Sequence, residues 1–77
     1  MKGGGPFILD DYDIVYKNNK WKFKKQGSER SIKNSNNKKE LIKYMQKYMK
    51  NKTGSVKIHK KNGKYQEERT YQRADDP

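Results

Sequence analysis

Apolar residues in this chain recur with two different periods, and the change of period divides it into elements. From Tyr12 to Lys17 they alternate, with Tyr12, Ile14 and Tyr16 on one side and Asp13, Val15 and Lys17 on the other. From Trp21 to Lys25 the alternation returns, Trp21 and Phe23 against Lys22 and Lys24. A period of two belongs to a strand with one buried face. Asn18 and Asn19 lie between the runs, and asparagine accepts the positive φ of a tight hairpin turn. A two-residue turn there sets Tyr16 opposite Trp21 and Ile14 opposite Phe23, so turn chemistry and apolar pattern agree on register.

The stretch from Gln26 to Asn34 is polar, broken by Gly27, with Ile32 as its one aliphatic residue. It reads as a loop or a short edge strand. The period then becomes helical. At ~100° per residue, Leu41, Ile42, Tyr44, Met45, Tyr48 and Met49 fall within roughly 160°, with Lys39, Lys43, Lys47 and Lys50 on the far side. Asn37, with Glu40 three residues on, fits a capping box. The helix is expected from about Lys38 to Asn51, with Gly54 as its stop.

Val56 and Ile58 alternate in a third strand, and Asn62-Gly63 is a strong signal for a two-residue hairpin turn into a fourth, Lys64 to Tyr71. That turn pairs Lys60 with Tyr65, Ile58 with Glu67 and Val56 with Arg69. The predicted architecture is an α+β two-layer sandwich in the order ββαββ, one helix packed on a four-stranded, mainly antiparallel sheet of two hairpins. It places Ile14, Tyr16, Trp21, Phe23, Val56, Ile58 and Tyr65 under the helix. Residues 1–11 read as a flexible lead whose Gly-rich opening, Met1 to Pro6, is either native or an added remnant, with Asp10 and Asp11 marking a turn before the first strand. Residues 12–72 form one small domain, and 73–77 a polar tail.

Composition changes this picture little. Seventy-seven residues, 29% hydrophobic and 38% charged, lie near the border with disorder. Nine aromatics and the periodic apolar pattern argue for a fold. The absence of cysteine excludes disulfides and a thiolate zinc site. No apolar run exceeds three residues, so neither a spanning helix nor a signal-peptide core is present in the sequence, and a cytoplasmic location is expected. The excess of Lys over Arg and the abundant Asn fit an AT-rich genome.

In order, Tyr12-Asp13-Ile14-Val15, then Trp21-Lys22-Phe23-Lys24, Asn37 with Glu40-Leu41, Val56-Lys57-Ile58-His59, Asn62-Gly63-Lys64, Arg69-Thr70-Tyr71 and Asp76-Pro77 resemble the bacterial and phage family DUF2188, a domain of unknown function. The resemblance covers Tyr12 to Pro77. It implies the ββαββ fold and no activity. This chain departs from the pattern in its Lys-rich helix and in Leu41, where family helices open with Ala.

Charge is the strongest functional hint. Between Ile14 and Gln66 there are seventeen Lys or Arg and two acids, Glu29 and Glu40, a net +15 in a chain of +11. Such a surface repels itself and is relieved by a polyanion. Strand and helix periods sort the lysines onto two faces. Lys17, Lys22, Lys24, Lys57 and His59 share the outer sheet face with Val15, and Lys20 sits at the turn. Lys39, Lys43, Lys47 and Lys50 share the outer helix face. The i, i+2 spacing of Lys22 and Lys24, about 7 Å along a strand, is close to the phosphate repeat of nucleic acid. Lysine makes point-charge contacts rather than bidentate base readout, so little sequence specificity is expected. Trp21 belongs to the core; Tyr44 is the better exposed aromatic.

Nothing in the sequence points to catalysis, a metal or a cofactor. His59 stands alone and reads as an ordinary exposed strand residue; the serines have no base partner; Asp10, Asp11 and Asp13 read as turn chemistry; Glu67 and Glu68 point to opposite faces. The first expectation is a binding module for DNA or RNA backbone, the type of nucleic acid left open. The second is a phage-type protein that docks on an acidic host surface, with Phe7, Ile8, Leu9 and Tyr44 as an apolar edge for a protein partner or a second copy. The third is a solvated domain without a polyanion partner, since lysine commonly serves solubility alone.

Overall fold

The structure is a computed structural model, and it describes residues 10–71. Five strands and one helix follow in the order β1 (Asp10–Lys17), β2 (Lys20–Lys25), β3 (Ser31–Ser35), α1 (Lys38–Met49), β4 (Gly54–His59) and β5 (Tyr65–Tyr71). They form one sheet in the order β3-β2-β1-β4-β5, covered on one face by the helix. The α+β class is as expected; the four-strand count is not. The sheet has five strands and is mixed, because β1 and β4 are parallel. The lead at residues 1–9, with Phe7, Ile8 and Leu9, and the tail at 72–77 lie outside the described residues. Asp10 and Asp11 are part of β1 rather than a turn before it.

The first hairpin follows the sequence closely. Asn18 and Asn19 have φ of 54° and 66°, the two positive values a tight hairpin turn requires. Tyr16 pairs with Trp21 and Ile14 with Phe23. The second hairpin differs at its tip. Gly63 N–H donates to Lys60 O at 2.8 Å and Lys60 N–H to Lys64 O at 2.7 Å, with Gly63 at φ 92°. The loop is therefore Lys61-Asn62-Gly63, a three-residue connection ending in a left-handed glycine. Ile58 still pairs with Glu67 and Val56 with Arg69, but a bulge between Ile58 and His59 sets His59 opposite Tyr65. The extra residue turns Tyr65 to the outer face, 56% exposed and edge-on to His59 at 6.4 Å, instead of under the helix.

Asn37 caps α1 through its side-chain oxygen, which accepts from Glu40 N–H at 3.1 Å. Its own N–H donates to Ser35 Oγ at 3.0 Å, so the serine at the end of β3 supplies the reciprocal half of the cap. The helix ends at Met49 with Lys50 as a right-handed cap, two residues before the expected end. Gly54 does not stop it; it opens β4, opposite Asp10. Leu41, Met45 and Met49 face Tyr12, Ile14, Trp21, Phe23, Val56 and Ile58, and these nine residues form the core. Burial, with Tyr48 and Asp10 nearby, raises the Tyr12 phenol above the usual tyrosine range.

Candidate nucleic-acid interface

Alternation along β1, β2 and β4 places the expected sheet residues on the face away from α1. Cross-strand register fixes their neighbours. Val15 lies opposite Lys22, and Lys17 opposite Lys20. Asp13, however, lies opposite Lys24 on one side and Lys57 on the other, and Lys57 lies opposite Glu68. The middle row of the sheet therefore reads Lys24, Asp13, Lys57, Glu68, alternating in sign. The acids that the basic segment lacks in sequence are supplied by its two flanks. His59 Nε2 sits 3.4 Å from Asp13 Oδ1, as does Gln26 Nε2. With its side chain 23% exposed, His59 is half-buried rather than exposed. Lys57 and His59, and Lys24 across from the same Asp13, thus belong to a strip in which charge is locally balanced, and the lysines of this face with no acid opposite are reduced to Lys17, Lys20 and Lys22.

Lys17, Lys22 and Lys24 line one open concavity of about 390 Å³, completed by Val15, Asn18, Glu29 and Ser31. A hydroxyl, an amide and three ammonium groups around one hollow can hold an anionic oxygen cluster by charge and by donated hydrogen bonds. Glu29 is the one acid in its wall.

On the helix, Lys39, Lys43, Lys47 and Lys50 are exposed on the side away from the sheet. The fold does not bring them together with the sheet lysines. Lys38 behaves differently. Its Nζ lies 4.7 Å from the Trp21 ring centroid and donates to Gln66 Oε1 at 2.6 Å. Burial holds this ammonium below the usual lysine range, opposed by Glu67 and reinforced by Lys60. Trp21 is 8% exposed and belongs to the core. Tyr44, 38% exposed, stacks on Tyr48 with Lys33 5.5 Å from its ring centroid. Arg69 is held in its charged form by a 2.8 Å bond to Glu67.

The lysines of the second turn, Lys60, Lys61 and Lys64, belong to neither expected face. They come to the same end of the sheet as Lys17 and Lys20, because β1 and β4 run parallel and each leads into its hairpin turn there. Lys61 Nζ lies 4.8 Å from the Tyr16 ring centroid, linking the two turns. The signal that would have found this end is Ile32. Counting its segment as a strand reverses the direction in which α1 returns the chain and makes β4 parallel to β1.

Among the described residues, no three His, Cys, Asp or Glu side chains converge as a metal site would require, and no helix is long and apolar enough to cross a membrane. The sequence profile of DUF2188, described as an uncharacterised protein conserved in bacteria, matches residues 12–71. The chain belongs to the DUF2188 family. The match runs from Tyr12 in β1 to the last residue of β5, so this DUF2188 domain takes in the helix and all five strands save Asp10 and Asp11 at the start of β1. No curated protein and no solved structure shows significant similarity to it.

Proposed function

We propose that this DUF2188 domain is a small non-enzymatic module that binds the phosphate backbone of nucleic acid with little sequence specificity. The supporting observation is the concavity that gathers Lys17, Lys22 and Lys24. Ammonium groups make point-charge contacts to phosphate and carry no base code. The burial of Trp21 removes the largest ring from base stacking and leaves Tyr65 as the open ring on this face, so electrostatics is the main source of affinity.

The test is a fluorescence anisotropy titration of a labelled mixed-sequence oligonucleotide. Lys22→Glu with Lys24→Glu is expected to weaken binding about tenfold or more, since each lost phosphate contact also removes its counterion release. Lys43→Glu with Lys47→Glu changes net charge equally on the helix face and is expected to cost no more than about threefold. An equal or larger loss from the helix pair would move the contact off the sheet.

A further inference from the structure

We infer that the contact surface continues from the concavity onto the end of the sheet where both hairpin turns emerge, and that its ligand is duplex rather than single-stranded nucleic acid. This rests on the reading above. The first turn contributes Lys17 and Lys20 and the second Lys60, Lys61 and Lys64, and parallel pairing of β1 with β4 sets them side by side. Strands in a sheet lie about 4.8 Å apart, so two neighbouring hairpin turns are centred about 10 Å apart. Flexible lysine side chains cover that gap. Lys17 belongs to both the concavity and this end, which makes the two surfaces continuous.

The charge distribution also favours this end. Asp10 and Asp11 begin β1 at the opposite end of the sheet, where Asp10 lies 3.5 Å from Lys25. At the turn end, Glu40 sits in the first turn of α1 and Glu67 is bonded to Arg69. The opposite end also carries Lys25, Arg30, Lys50 and Lys52, four bases against Asp10, Asp11 and Glu29, so it is nearly neutral, whereas the five turn lysines outnumber Glu40 and Glu67; a polyanion orients such a body with the lysine turns foremost.

The preference for duplex comes from the aromatic rings. Proteins that hold single strands offer open rings on which bases stack. At this end Tyr16 and Trp21 are roofed by Lys61 and Lys38 at 4.8 and 4.7 Å, and among the described residues there Tyr65, 56% exposed beside His59, is the one open ring. One ring is no platform for successive bases, so charge supplies most of the contact, and charge favours the polymer with the denser phosphates, which is the duplex.

The test compares Lys60→Glu with Lys64→Glu against the sheet and helix pairs above, each lowering the net charge of +11 by the same amount. Lys60 and Lys64 are exposed and bond to each other through backbone, so the fold should persist. A circular dichroism spectrum checks this, and the milder Lys60→Gln with Lys64→Gln replaces the pair if it does not. Expected are at least a tenfold loss of duplex affinity for the turn pair, and wild-type binding to a short duplex at least about tenfold tighter than to its single strand at equal salt. A turn pair no weaker than the helix pair, while the sheet pair is weakened, would overturn the inference and leave the concavity reading standing. Single-strand binding as tight as duplex binding would overturn the choice of ligand. Wild-type protein that binds neither would remove both readings.

Discussion

Phe23→Ala is expected to leave the chain largely unfolded at 25 °C. Phe23 is fully buried between the sheet and α1. Its ring lies 5.5 Å from that of Tyr12 and 5.3 Å from that of Tyr48, with Tyr44 at 6.5 Å, so it is the fully buried member of the aromatic cluster. Truncating a buried Phe to Ala costs about 3–5 kcal/mol, as lost transfer energy plus the cavity left behind. A chain of 77 residues has a total stability on the order of 4–12 kcal/mol, and like-charge repulsion in this one pulls toward the lower bound. The loss is therefore comparable to the whole. Circular dichroism during a urea titration reads the effect directly. A cooperative transition near the wild-type midpoint would show that the core is not organised around this ring.

Gly54→Ala is expected to cost about 3 kcal/mol, the upper range for forcing atoms into a filled site. A Cβ at Gly54 would lie 2.5 Å from the Asp10 carbonyl oxygen and 3.3 Å from side-chain atoms of Met49 and Tyr12. The nearest atom is backbone, so it yields only if β1 and β4 separate. That pairing aligns the two hairpins, so hydrogen exchange should rise in β1 and β4 together. Gly27→Ala provides the contrast. Its φ of 83° is strained for any side chain, but no heavy atom lies within 4 Å of the added carbon, and about 1 kcal/mol is expected. Equal urea midpoints for the two variants would show that the strand contact at Gly54 is soft.

The elements that sequence reveals best here are those whose signals are local. Asn18 and Asn19 carry the turn, and the register of Tyr16 with Trp21 follows from two residues of chain. Asn37, Leu41, Met45 and Met49 define the helix in the same local way. β3 stays open between loop and edge strand in the sequence because an edge strand buries little: Ile32 packs against the core while Lys33 and Asn34 meet water. The cost of leaving it out of the sheet is larger than one strand. Without it, α1 would return the chain parallel to β2, and the two turns would point to opposite ends. With it, β4 follows β1 and the turn lysines meet. The candidate site was legible to the same degree. Lys17, Lys22 and Lys24 follow from alternation, whereas the balancing of Lys57 by Asp13 and Glu68 depends on pairings between strands distant in sequence. Asn62-Gly63 shows a local signal overruled: the bulge at His59 and the Lys60–Lys64 bonds set a three-residue loop in place of a two-residue turn.

The most direct measurement is the affinity of the wild-type domain for a mixed-sequence duplex as salt is raised from about 50 mM to near-physiological strength. Contacts from four lysines or more should give log affinity falling with log salt at a slope on the order of −3.5 or steeper, about 0.9 for each phosphate contact. No binding at about 50 mM salt and micromolar protein, or a slope near zero, would contradict backbone binding by this domain.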